Sequence, residues 1–196
     1  MKTVRHWLGH TLVVAATAAL VTGCADQTPM GLESPNGGAT RSAAPAVVTN
    51  AVDLGSCPDL KVDAGHEFVM RVYAVGFQNY HWTGTSWAFD GPSADLFADP
   101  RGKSKIGIHY PGPFWESLTG SKVKGAIVKR CTPDPDDIQW LLLGALSSEG
   151  PGVFNGVSFI QRVNTAGGIE PSYDGEFVGQ QNSVPYTTEY LFYRPE

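Results

Sequence analysis

From Glu67 onward the chain is a succession of short runs rich in Val, Ile, Tyr, Phe and Trp, broken by Gly, Pro and Asp at strand-length intervals. Runs of this length and composition read as strands, and the Gly and Pro between them read as turns. The pattern predicts strands over residues 68–75, 80–89, 105–110, 122–128, 139–146, 157–165 and 186–193. Turns are expected at Asp90-Gly91-Pro92, Thr119-Gly120-Ser121, Asn155-Gly156 and Asp174-Gly175. Alternation places Phe68, Met70, Val72 and Ala74 on one core-facing side, and Val157, Phe159 and Val163 on another, with Gln161 among them and therefore pointing inward. The run Trp140-Leu141-Leu142-Leu143-Gly144-Ala145-Leu146 has no polar face. It is a strand buried on both sides or a short core helix, and no long helical pattern elsewhere supports the helix. The expected class is all-β: a single antiparallel β-barrel or a two-sheet β-sandwich.

A different signal precedes this region. Lys2, Arg5 and His6 form a basic start, and the run from Leu12 to Val21 is apolar, the arrangement of a signal peptide. A spanning helix needs roughly 20 apolar residues, and this run stops well short at Thr22 and Gly23. Val21-Thr22-Gly23-Cys24 resembles the bacterial lipobox, whose cysteine carries diacylglycerol. Residues 1–23 are thus read as a lipoprotein signal peptide, 24–56 as a lipid-anchored flexible linker rich in Ala, Gly, Pro, Ser and Thr, and 57–196 as the β domain. The expected location is a bacterial cell-envelope membrane, reached through lipid on Cys24.

Removing Lys2 and Arg5 leaves 12 basic against 19 acidic residues, a net charge of −7 with histidines neutral. Nucleic acid is excluded as a partner by that balance, since no basic cluster offsets it. With Cys24 acylated, Cys57 and Cys131 remain, and an exported compartment favours their disulfide; two buried thiols or a metal pair are the rival readings.

Two polar groupings carry the candidate chemistry. His109 lies opposite Ile106, Ile108 and Tyr110 on its strand, and so should leave the core-facing set. The rigid Pro111-Gly112-Pro113 turn next to it presents Trp115 and Glu116. Gln161, Arg162 and Asn164 form the other group, with Arg162 suited to gripping a ligand carboxylate in a bidentate fork or to neutralising an internal carboxylate. His66, His81 and His109 lack close metal-ligand spacing, so no metal site is expected, and no cofactor motif occurs. Catalytic residues are not identified: the nearest candidates are carboxylates drawn from Asp90, Asp95 and Glu116, as in glycan hydrolysis. Trp82, Trp87, Trp115 and Trp140 are either core residues or stacking surfaces for a sugar.

Five stretches, Trp87 to Phe97, His109 to Glu116, Trp140 to Leu143, Phe159 to Gly168 and Val184 to Tyr193, together resemble the secreted family catalogued as domain of unknown function 3455. The resemblance spans about Phe68 to Arg194 and implies no established activity. The pattern of that family has cysteines where this chain carries His81 or Trp82, and Ser172 or Tyr173. If those cysteines form a bridge, it is lost here, with Cys57 and Cys131 available elsewhere. A malate dehydrogenase label attached to some fungal relatives would require a nicotinamide site, and no Gly-x-Gly-x-x-Gly follows any strand.

The expected function is a non-enzymatic envelope module for a small molecule, glycan or protein partner; the alternative is a hydrolase with paired carboxylates. The oligomeric state is left open. Cys24→Ser is expected to shift the protein out of the membrane fraction, as measured by immunoblot after cell fractionation, whereas an unchanged membrane signal would refute the anchor.

Overall fold

The computed structural model describes residues 52–196, so the expected signal peptide, Cys24 and the linker up to residue 51 lie outside the described residues. A short 3-10 turn, Pro58–Leu60, precedes eight strands: β1 (His66–Trp82), β2 (Trp87–Phe97), β3 (Lys105–Tyr110), β4 (Phe114–Ser117), β5 (Lys122–Cys131), β6 (Trp140–Glu149), β7 (Phe159–Gly167) and β8 (Gln181–Pro195). Each strand pairs antiparallel with its sequence neighbour, and β1 pairs with β8 to close the sheet into a ring. The chain is all-β, as the patterning predicts. Of the two expected architectures, the single closed sheet is the one found.

The expected strand over 80–89 is two strand ends joined by a hairpin. Thr83 N donates to Ser86 O at 2.9 Å, and Ser86 N donates to Thr83 Oγ1 at 3.1 Å, so polar residues in an aromatic stretch turn the chain. Asp90-Gly91-Pro92 is not a turn but part of β2. Asn79 opposes Gly91 while Tyr80 opposes Phe89, leaving Asp90 as the extra residue of a β-bulge. Gly91 has φ 133°, and a Cβ there would sit 2.7 Å from Pro111 Cγ, so glycine is required where the 111–113 turn abuts the bulge. The four-residue β4 was not expected, because Pro111-Gly112-Pro113 masks its start.

The interior holds Val72, Ala74, Leu96, Trp115, Val123, Leu143, Ile160, Tyr190 and Phe192 among its buried core. Trp115 meets Tyr190 edge-on at 5.2 Å. Phe154, from the loop between β6 and β7, joins this core 4.9 Å from Phe192, its N–H held by Ser121 Oγ at 3.2 Å. Phe68 departs from the expected inner face. A register shift between Phe68 and Met70 brings Val69 and Met70 against the core and leaves Phe68 beside Tyr193 at 5.9 Å.

The run Trp140–Leu146 is a strand, buried on both sides only over Leu141 to Leu143 while Leu146 is 65% exposed, and the second cover is the segment preceding β1. Leu141 and Leu143 face the interior core, while Leu142 packs on the outer face with Cys57 and Leu60, supported by Leu54, Val62 and Phe159. Cys57 and Cys131 form a disulfide with Cα atoms 5.8 Å apart, fastening this segment to the end of β5. Gln161 is buried as expected but on this outer face, where its Nε2 donates to Leu60 O and its Oε1 accepts from Tyr193 OH, each at 2.7 Å. Phe159 shares that face, so the expected inward set of β7 is reversed by the cover outside the ring. Cys131→Ser should lower unfolding free energy by about 2–4 kcal/mol, read as a lower guanidinium midpoint, with a somewhat steeper slope because the uncrosslinked denatured chain is more expanded.

Candidate functional site

Directly opposed residues on neighbouring strands project from the same face of a sheet, so register decides what enters the ring. Ala94 opposes His109, His109 opposes Trp115, and Trp115 opposes Val123. Across the ring, Leu141 opposes Arg162 and Arg162 opposes Tyr190. Val123 and Tyr190 belong to the interior core, and His109, Trp115 and Arg162 therefore face inward with them. His109 thus lies on the inner face, opposite to the expectation: Ile108 is the exposed residue and His109 is only 4% exposed. Ile106, the extra residue at the register shift between Leu96 and Phe97, packs against the interior core, so the expected shared face of Ile106 and Ile108 is broken.

Toward one end of the ring the interior opens into a cavity of about 220 Å³. Trp115, Leu141, Leu143 and Tyr190 supply its largely apolar walls, and Gln78, His109 and Arg162 supply polar atoms. The rim is built from the β2 bulge at Phe89 to Pro92, the Gly112-Pro113 turn and Ile127. Asn79 Nδ2 fixes the bulge by donating to Gly91 O at 3.0 Å and Ser93 Oγ at 3.1 Å. The displaced Asp90 pairs with His81 Nδ1 at 2.6 Å.

His109 stacks on Trp115 with centroids 4.4 Å apart and lies 5.3 Å from Tyr190. Its Nδ1 is 2.8 Å from Phe114 O. A carbonyl only accepts, so Nδ1 carries the proton and Nε2 is left as an acceptor. Burial pushes the imidazole pKa down to about 3, with the Arg162 guanidinium adding to the effect and the Phe114 carbonyl opposing it. Burial likewise holds the Tyr190 hydroxyl above its ordinary range, so it remains a proton donor. Arg162 Nε and Nη2 donate to Gln139 O at 2.9 and 2.7 Å, and no carboxylate among the described residues forms an ion pair with it. Trp115 Nε1 is buried with no hydrogen-bond partner, and Gln78 Nε2, Tyr186 OH and Tyr190 OH are buried without a well-aligned hydrogen bond, although Tyr186 lies beside Gln78 and Tyr190, and Tyr190 beside Arg162.

Of the residues singled out from sequence, His109, Trp115 and Arg162 come together in this cavity. Glu116 sits on the outer face, accepting from Tyr110 OH at 2.7 Å; Gln161 lies under Leu60; Asn164 is exposed at a bulge with φ 50°. Gln78 and Tyr190 line the cavity and were not singled out. The signal for Gln78 is its place on the inward β1 series Val72, Ala74, Gly76, Gln78, a polar residue at an apolar period.

The three candidate carboxylates do not share a cleft. Asp95 and Glu116 flank the outward Ile108, two strand spacings or about 10 Å apart, and Asp95 is paired with Lys105 Nζ at 2.6 Å. Asp90 alone touches the cavity. Trp82, Trp87 and Trp115 are buried and Trp140 is half-buried. Trp82 and Trp87 lie 5.5 Å apart, with Trp87 Nε1 donating to Tyr173 O at 2.7 Å. Of the positions where the resemblance implies cysteines, His81 or Trp82 and Ser172 or Tyr173, Trp82 and Tyr173 both pack against Trp87 in one aromatic cluster.

These features define a class: a closed antiparallel ring with a mixed polar and apolar cavity at one end. The chain belongs to the family described as "Protein of unknown function (DUF3455)", whose model matches residues 63–194. No curated protein and no solved structure matches the chain.

Between pH 6.5 and about 3 the buried His109 stays neutral in the fold while an unfolded chain protonates it, so the unfolded state binds the extra proton and stability falls as pH drops. His109→Gln, which keeps a donor for Phe114 O, is expected to show a shallower loss of stability between pH 7 and 4.5 than the parent; denaturant midpoints at both pH values check this.

Proposed function

We propose that the protein is an exported cell-envelope lipoprotein, tethered through Cys24, whose β domain binds a small molecule in the cavity at the ring's end. The observation that carries the binding reading is the placement of Arg162 and His109 in one apolar-walled cavity with polar atoms around them that lack well-aligned hydrogen bonds. Buried polar groups are ordinarily satisfied, and a set of poorly satisfied groups clustered at a cavity is what a site missing its ligand looks like. The composition also fits the general form of small-molecule sites, with apolar walls and a few convergent polar groups.

A glycan platform has less support, because the tryptophans that would stack on sugars are buried or half-buried. The hydrolase reading has less support for a parallel reason: general acid and base must both reach one substrate, and Asp95 and Glu116 lie outside the ring while the cavity holds one carboxylate at its rim. The anchor and linker reading rests on the basic start, apolar run and lipobox-like Val21 to Cys24.

A thermal-shift screen of small organic acids, amides and alcohols on the detergent-solubilised full-length protein tests the cavity, since a ligand selective for the native state raises the melting temperature. Ile127→Trp, at the half-open rim, should fill the mouth while retaining the parent's own melting temperature within a few degrees. At least one compound is expected to stabilise the parent and not this variant. Equal shifts in both proteins, or none in either, would overturn the reading.

A further inference from the structure

We propose that the cavity is a receptor for a small monocarboxylate, with the carboxylate seated on Arg162 and an apolar body of about ring size held between Trp115, Leu141 and Leu143. This inference rests on the cavity being the binding site and adds the chemical class of its occupant.

The first argument is charge. Arg162 enters the interior from β7 opposite Leu141 and Tyr190, and Gln139 O takes hydrogen bonds from its Nε and Nη2. That carbonyl fixes the plane of the guanidinium and leaves both N–H groups of Nη1 unengaged by it. No ion pair to a carboxylate accompanies it among the described residues. Arg162 is half-buried, so its guanidinium is only partly solvated with no anion beside it, and a ligand carboxylate with its fork geometry is the group that best complements it.

The second argument is the sign of the surrounding polar atoms. Trp115 Nε1 can only donate and has no partner, while Gln78 Nε2, Tyr186 OH and Tyr190 OH lie beside one another and beside Arg162 as a donor-rich set. An occupant that supplies acceptors satisfies them, whereas a cation or a donor-rich ligand leaves them orphaned. His109 stays neutral beside Arg162 and adds no second positive charge.

The third argument is that the occupant carries one negative charge and an apolar body. A single guanidinium faces the cavity, and Asp90 stands at the rim with its carboxylate on His81, so a dianion would meet one cation and one anion. A dry cavity of about 150 Å³ accommodates benzene, and a volume near 220 Å³ leaves space for a ring of that size with a carboxylate attached.

Isothermal titration calorimetry on the detergent-solubilised full-length protein, with benzoate and its neutral isosteres benzamide and benzyl alcohol as probes, reads the preference directly. Benzoate should bind about tenfold or more tighter than benzamide, the factor expected of a charge-assisted pair. Arg162→Met should erase that ratio while benzamide binding changes less than about threefold, which also shows that the variant is folded with its cavity intact. Should Arg162→Met fail to fold, the benzoate to benzamide ratio of the parent decides alone. Equal affinities for all three probes, abolished by Ile127→Trp, would overturn the monocarboxylate inference and leave the cavity reading standing. Benzoate binding that survives Ile127→Trp, or no binding of any probe, would overturn both.

Discussion

Every inward-facing side chain in this domain depends on β1 pairing along its length with two partners at once. The strand is 17 residues long, opposing β2 over its second half and β8 over almost all of it. Closing the sheet through β8 removes the two edges an eight-stranded meander would otherwise expose, and it gives the sheet an inside. A shift of one residue in the β1–β8 ladder would turn Val72, Ala74 and Gln78 outward if Tyr186, Tyr190 and Phe192 kept their inward face. The interior core and the cavity are two consequences of one register.

Closure also creates a problem that the segment before β1 solves. A ring that takes apolar residues from both faces of β6 must cover one of those faces from outside. Leu60 and Cys57 lie on Leu142, Gln161 bonds to the backbone of that segment, and the disulfide to Cys131 keeps it in place. At a separation of 74 residues, the crosslink joins the segment before the first strand to the end of the fifth. The cover therefore stays on β6 and β7, the strands that also carry Leu141, Leu143 and Arg162 into the cavity.

The cavity itself reflects a conflict between core and site. Trp115 and His109 stack like core residues, and burial strips the imidazole of its charge. The same burial leaves Gln78, Trp115 and Tyr190 with polar atoms unmatched. Such groups cost stability wherever they lie dry and unpaired, so their concentration beside Arg162 is a local departure from a core otherwise built of Val, Leu, Ile and Phe. Departures of this kind are expected where binding, rather than folding, dictates residue type.

The all-β class, most strand positions, the turns at Thr119 to Ser121 and Asn155-Gly156, and the favoured pairing of Cys57 with Cys131 are legible in the residues alone, because period-two alternation, turn residues and cysteine number are local or countable. The sequence also marked His109, Trp115 and Arg162. Tertiary structure alone decided which face of each strand is interior. His109 was assigned outward because Ile106, Ile108 and Tyr110 looked like the core set, and Gln161 inward because Phe159 and Val163 did; both were reversed. Alternation distinguishes two faces but not which of them a closed sheet encloses, and a covered outer face is as apolar as an inner one. The bulge at Asp90 and the short β4 were hidden for a related reason, since Gly and Pro mark a break in regular pairing without saying whether the chain turns or continues. Whether Glu116, Arg162 and Asp90 meet depends on the register of strands distant in sequence, and the closed ladder from β1 to β8 sets it.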